Sequence, residues 1–460
     1  MSAGALPGFR DFYPKELAER EHIFRAWHDV VRRFGFEQYD GPPLESLDLY
    51  TRKSGEEIVG QLYNFTDKGG REVALRPEMT PTFARMVSAR ANALRKPVRW
   101  YSVPQLFRYE RQQKGRLREH FQLNVDIVGE SDVSADAELL AVALEVMREC
   151  GLTSDDVVGR VSDRRLLTAL LAAWGVPDEG VPAAYAAIDK LGRDPRERLV
   201  ERMVAAGVRE DVAGAVLDAV AASDLSALLA THEFNVQVRA GLERIEQYLS
   251  LMAAHGLQDW VRFDLSIVRG LAYYTGIVFE LFDKKGEFRA ICGGGRYDTL
   301  LRELGDIDLP ALGFGMGDVV LGELLRARGL MPSEHRGTDF YIAAEDPVTD
   351  AEVVQLATSL RQLGCSVEYA FRRGNMGKQR KAAWSAEANY IVEVRPTPEG
   401  FRVMLRDGAG AGYVSAVSNE RTLGDILGEA LMEPTDLLKV VRAHPRSVRP
   451  GFPVRPDPKA

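Results

Sequence analysis

Three cysteines in 460 residues, Cys150, Cys292 and Cys365, are too few and too scattered for a disulfide framework or a cysteine-built metal site. That scarcity fits a reducing compartment. No uninterrupted apolar run approaches the roughly 20 residues a membrane helix needs, and the opening MSAGALPGFRDFYP lacks the apolar core of a signal peptide. A cytoplasmic location and no membrane partner are expected. Positive charge is not in excess either. With 59 Lys and Arg against 67 Asp and Glu, the net charge is −8, so any nucleic-acid binding must come from local basic patches. What remains is ordinary globular composition, 45% hydrophobic and 27% charged, in a chain long enough for two or three domains.

Residues 17–34 carry Ile23, Phe24, Trp27, Val30, Val31 and Phe34 at helical spacing. The strand-like FEQYD follows and is stopped by Gly41-Pro42-Pro43. Between 60 and 125 short strands alternate with turns: LYNFTD, REVALR, RWYSVPQLFRYE and FQLNVDIVG. Hairpins at this density predict an antiparallel sheet, closed by a helix over 135–149. Residues 165–255 turn helical and Ala/Leu-rich, as an insertion would. Strand signals return in LSIVRGLAYYTGIVFELFD and FRAICGGG, followed by a helix through RYDTLLREL, then LPALGFGMG and another helix. A polar stretch at 331–339 marks a boundary. Beyond it FYIAAE, a helix at 350–363, SVEYAF, a helix at 375–385 and NYIVEV alternate as β-α-β-α-β. The last residues, rich in Pro and basic side chains, are expected to be disordered.

Three segments stand out chemically. In FRYERQQKGRLREHFQ (107–122), Arg108, Glu110, Arg111, Lys114, Arg116 and Arg118 crowd one hairpin. Alone this is a solvated charged turn, yet arginine forks at such density also suit a polyphosphate. VRGLAYYTGIVFE (268–280) places an arginine and a tyrosine pair on an apolar strand, where a buried guanidinium requires an anionic partner. CGGGRYD (292–298) has three glycines that permit close backbone approach at a turn.

Together these segments resemble the class II aminoacyl-tRNA synthetases, and in particular the histidyl-tRNA synthetases. F-R-x-E with its basic loop is similar to motif 2. RGLAYYTG and CGGGRYD look like the two histidine motifs, RPEMT (76–80) like the strand that faces the amino acid, and GPPLE like motif 1. GNMGKQRKAAWSAEANYIVEV resembles the anticodon-binding domain. The resemblance implies an α+β fold: a class II antiparallel sheet with flanking helices, a helical insertion and a C-terminal α/β domain. Its expected divisions are 1–164 and 256–330 for the catalytic core, 165–255 for the insertion, 338–432 for anticodon binding and 433–460 for the tail.

The activity implied is ATP-dependent ligation of L-histidine to tRNA(His) by a homodimer, with Pro42 at the dimer interface, ATP as substrate, Mg²⁺ accompanying it and no metal held by the protein. Histidine would be bound by Glu78, Thr80, Arg108, Gln122, Asp126, Arg269, Tyr273, Tyr274 and Tyr297. ATP would be bound by Arg108, Glu110, Arg116 and Arg269, with Arg269 and Arg108 catalytic. Arg111 and Gln113 would touch the tRNA acceptor end; Arg372, Arg373, Lys378, Arg380 and Lys381, a basic run with no acid inside it, would follow the anticodon stem. Two residues depart from the pattern. Val320 stands where motif 3 carries an arginine, the next being Arg326, and Ala272 replaces an aspartate. They leave a second reading, a histidine-sensing regulatory subunit of ATP phosphoribosyltransferase. The basic set of motif 2 and the C-terminal domain argue against that reading, and the histidine motifs argue against a synthetase of other specificity.

Overall fold

The computed structural model describes residues 4–54, 56–109, 115, 117–231, 233–268, 274–305, 307–332, 337–362, 364–397, 400–407 and 412–418. The chain divides into two compact units, 1–332 and 333–460.

The first unit opens with α1 (Pro14–Arg33). Its proline stands in the first turn, where a missing N–H costs nothing, and Ile23, Ala26, Trp27, Val30 and Val31 form one buried stripe. Next come β1 (Glu37–Gln38), β2 (Leu44–Ser46), α2 (Asp48–Ser54), β3 (Asn64–Thr66), β4 (Glu72–Leu75) and α3 (Thr80–Arg90). Then follow β5 (Val98–Ser102), β6 (Gln105–Phe107), β7 (Glu119–Val128), α4 (Val133–Glu149) and β8 (Val157–Asp163). FEQYD thus shrinks to two strand residues. The stretch RWYSVPQLFRYE splits in two around Pro104, which has no N–H for a ladder. Strand β8, absent from the sequence reading, carries Arg160, Ser162 and Asp163 among its apolar residues, and that masked its pattern.

Asp163 caps the next helix, accepting from the N–H groups of Arg165 and Leu166. Six helices follow: α5 (Arg164–Ala173), α6 (Val181–Asp189), α7 (Arg196–Ala205), α8 (Glu210–Ala222), α9 (Leu225–Ala230) and α10 (Val236–Ala254). They enclose a core of their own, including Leu166, Leu170, Ile188, Leu199, Met203, Leu217 and Ile245. The chain then returns through β9 (Val261–Phe263), β10 (Ile277–Asp283), β11 (Cys292–Arg296), α11 (Leu300–Gly305), β12 (Ala311–Gly317) and α12 (Asp318–Ala327).

The large sheet runs β1-β5-β7-β12-β11-β10-β8-β9, with β6 also on β7. Its interior pairs are antiparallel, as the hairpin-rich pattern predicts, and only the edge strands β1 and β9 are parallel to their neighbours. One face packs on α4, a helix with twelve buried positions, because it lies between the sheet and other helices. Strands β2, β4 and β3 form a small separate sheet.

In the second unit the strands are β13 (Phe340–Ala344), β14 (Val367–Tyr369), β15 (Tyr390–Thr397), β16 (Gly400–Asp407) and β17 (Gly412–Ser418), with α13 (Asp350–Gln362) and α14 (Met376–Ser385). Phe340 and Ile342 face a core that includes Leu356 and Leu360 of α13. Tyr341 and Ala343, pointing the other way, meet Met376 and Ala383 of α14. The β-α-β-α-β core agrees with the sequence, but β16 and β17 extend it by an antiparallel hairpin. The expected disordered tail, 433–460, lies outside the described residues.

Candidate active site

Strand β7 shows how one short sequence makes both a core and a cavity. In QLNVDI the odd-numbered residues Leu123, Val125 and Ile127 pack into the main core. Gln122, Asn124 and Asp126 alternate with them onto the other face and line a cavity of about 100 Å³. Its other walls are Glu78, Thr80, Arg108, Tyr274, Gly293, Tyr297, Gly313, Phe314 and Gly315. Glycine is required beside β7. A Cβ on Gly313 would overlap the Asp126 carboxylate, its partner across the ladder. The CGGG run lies on β11, as the strand signal in FRAICGGG predicts, and not at the turn its three glycines also suggested; a Cβ on Gly294 would sit 2.5 Å from Gly313 O. Small residues are what let two neighbouring strands pass this close.

The polar walls are held from behind. Arg76 is 5% exposed and donates to Gln105 O at 3.0 Å, Gly41 O at 2.8 Å and Asp40 at 2.9 Å. It bolts the start of RPEMT to β6 and to the loop after β1, and so aims Glu78 and Thr80. Arg108 Nε donates to Pro77 O at 3.0 Å, fixing the plane of its fork between Glu78 and β7. Asp126, itself buried, accepts from the Tyr297 hydroxyl. Burial, reinforced by the nearby Asp126 charge, pushes the Tyr39 hydroxyl well above its usual range, so it stays protonated. A pocket with two carboxylates, one guanidinium, amides and phenols suits a small molecule carrying both an ammonium and a carboxylate.

Seven residues expected to bind histidine therefore meet around one cavity: Glu78, Thr80, Arg108, Gln122, Asp126, Tyr274 and Tyr297. Tyr274 precedes β10 rather than lying on it, contrary to the strand read through VRGLAYYTGIVFE. Glu110, Arg111, Gln113, Arg116, Arg269, Ala272 and Tyr273 lie outside the described residues. Asn124 and Arg76 were missed. The alternation Gln122-x-Asn124-x-Asp126 would have found the first; nothing local signals the second, whose partners are 29 to 36 residues away.

Val320 is buried in the main core on α12, and Arg326 is turned to Glu19 at 2.7 Å. In the second unit the five basic residues are not equivalent. Arg380 pairs with the fully buried Glu393 of β15, and Arg373 with Asp350 at 2.9 Å. No acid lies within the run, but the fold brings two from other elements. Arg372, Lys378 and Lys381 are exposed.

The fold is that of a solved histidyl-tRNA synthetase from Nostoc sp., with a TM-score of 0.78 covering 94% of this chain and all of that one at 22% identity. Residues 8–317 match the family model described as histidyl-tRNA synthetase. A histidine–tRNA ligase of Opitutus terrae is 46% identical over 88% of this chain and 93% of its own length. The chloroplastic/mitochondrial histidine–tRNA ligase of Arabidopsis thaliana is 38% identical over 87% and 85%. The chain belongs to the histidyl-tRNA synthetase family.

Proposed function

We propose that the cavity between β7, β11 and β12 is the histidine site of an ATP-dependent histidine–tRNA ligase, the activity that close curated relatives give this chain. The observation that carries the assignment is the meeting of Glu78, Asp126, Arg108, Tyr274 and Tyr297 around one small cavity. Glu78 and Asp126 take the ammonium, each charge-assisted bond being stronger than a neutral one. Tyr274 and Tyr297 flank the imidazole.

Arg108 holds the histidine carboxylate against the α-phosphate of ATP. A carboxylate oxygen attacks phosphorus, an O–P bond forms, and the bond to pyrophosphate breaks. Positioning and electrostatics supply most of the acceleration. In the family's pattern Arg269 stabilises the charge of that transition state, and Glu110 and Arg116 hold adenine and the outer phosphates. Mg²⁺ carried in with ATP would offset the charge on the departing pyrophosphate.

A terminal ribose hydroxyl of tRNA(His) then attacks the histidyl carbonyl, an ester forms, the acyl–phosphate bond breaks and AMP leaves; the tRNA is contacted by Arg111 and Gln113 at its acceptor end and by the exposed cations of the second unit. The working form is read as a cytoplasmic homodimer. Histidine-dependent ATP–pyrophosphate exchange, run against a panel of other amino acids, tests the assignment. Glu78→Gln should raise the histidine KM by roughly 10-fold or more, as loss of one charged contact would. Equal exchange with several amino acids, or an unchanged KM, would remove the cavity from consideration.

A further inference from the structure

Helix α5 opens with two arginines, and both reach the segments that carry the cavity's tyrosines. Arg164 donates from Nη1 to Val268 O at 2.8 Å and from its backbone N–H to Gly276 O at 3.0 Å. Arg165 donates from Nε to Thr275 O at 2.9 Å and from Nη2 to Asp298 at 2.6 Å. Asp298 and Thr275 are themselves joined twice: Thr275 Oγ1 donates to the carboxylate at 3.1 Å and accepts from the Asp298 N–H at 3.0 Å. The carbonyl of Arg296 accepts from the Thr275 N–H at 2.8 Å. Arg296 is anchored in turn to Asp136 of α4 and to Glu130 O. Thr275 adjoins Tyr274, while Arg296 and Asp298 bracket Tyr297. None of these anchoring residues lines the cavity.

The Arg165 side chain is 52% exposed. A salt bridge so open to water contributes little to the stability of a fold, yet this one ends on the immediate neighbours of both tyrosines. We propose that Arg164 and Arg165 are positioning residues for histidine binding, setting the spacing of Tyr274 and Tyr297 through Thr275, Gly276 and Asp298. The inference rests on the cavity being the histidine site. A planar imidazole between two phenols tolerates only small misplacements, of roughly 0.5 Å. With the guanidinium groups gone, the direct Thr275–Asp298 and Thr275–Arg296 bonds remain, but Val268 O, Thr275 O and one Asp298 oxygen lose their donors from α5, and the spacing is held less tightly. The helices over 164–254 thus help set the amino-acid pocket from outside it.

The test is pyrophosphate exchange with Arg164→Ala, Arg165→Ala and Arg165→Lys, beside Tyr297→Phe. Arg165→Ala should raise the histidine KM about 5- to 20-fold, and the inhibition constant of histidinol, which keeps the imidazole and amine, by the same factor. The ATP KM and the saturating rate should move by less than about 2-fold, and the melting temperature by less than about 2 °C. Arg164→Ala should act in the same direction and Arg165→Lys should restore part of the loss. If Tyr297→Phe raises the histidine KM while both alanine variants leave it within about 2-fold, the positioning role is overturned and the cavity assignment stands. A fall in saturating rate at constant histidine KM overturns the role equally. If Tyr297→Phe is also silent, the cavity assignment fails and takes this inference with it.

Discussion

A single missing methyl group makes room for the Asp126 carboxylate. Because the Cβ of an alanine at 313 would meet that oxygen and Val125 O, Gly313→Ala must push Asp126 into the cavity or part β12 from β7. Either outcome should abolish histidine-dependent exchange at ordinary histidine concentrations, while far-ultraviolet circular dichroism stays that of the parent. Overpacking of this kind costs roughly 1–3 kcal/mol, too little to unfold a large domain. Retention of full activity would show that the strand pair yields at no cost. Cysteine chemistry is also decided residue by residue. Burial pushes the Cys150 thiol up to about 12 and the partly exposed Cys365 up to about 11. Since the thiolate is the nucleophile, alkylation of Cys365 in the folded protein should be slow at pH 7.5 and rise about tenfold per pH unit toward pH 10. A rate at pH 7.5 equal to that of the unfolded chain would contradict this.

Helices α12 and α14 each show a position whose meaning changes once the element is packed. Val320 is buried on α12 and packed in the main core, with the Gly115 turn and Glu323 to one side, so Val320→Arg must displace packed apolar side chains to fit a guanidinium. We expect lower thermal stability and no gain in ATP affinity. A lowered ATP KM in adenylate formation would instead show that the phosphate site still has room there. On α14, Arg380→Ala leaves the fully buried carboxylate of Glu393 with Arg395, at 3.3 Å, as its remaining arginine partner, and should destabilise the second unit by roughly 1–3 kcal/mol. Lys378→Ala and Lys381→Ala should leave stability alone but weaken tRNA binding and flatten its salt dependence. Equal melting curves for all three variants would refute the distinction.

At the scale of the whole molecule, legibility followed distance along the chain. Periodicity within one element was readable: the stripe of α1, the helices between β8 and β9, and the β-α-β-α-β order of the second unit. So was a motif whose chemistry sits on consecutive residues. Contacts joining remote positions left no local trace. Arg165 and Asp298 meet across 133 positions and Arg296 and Asp136 across 160, and no window of sequence holds both partners. The hairpin of β16 and β17 was lost for a different reason, lying beyond the last strongly apolar strand. Deleting residues 333–460 should leave pyrophosphate exchange intact and cut aminoacylation of tRNA sharply, and loss of both reactions would show that the units depend on each other. Strand β7 adds a constraint on descent. Between 122 and 127 its even positions line the cavity and its odd positions the core, so inserting or deleting one residue there would exchange the two faces together. Such an accident cannot be repaired by a second change in the cavity alone. Lineages are therefore confined to replacing side chains along this strand, and its length should be the most slowly changing measure in the gene.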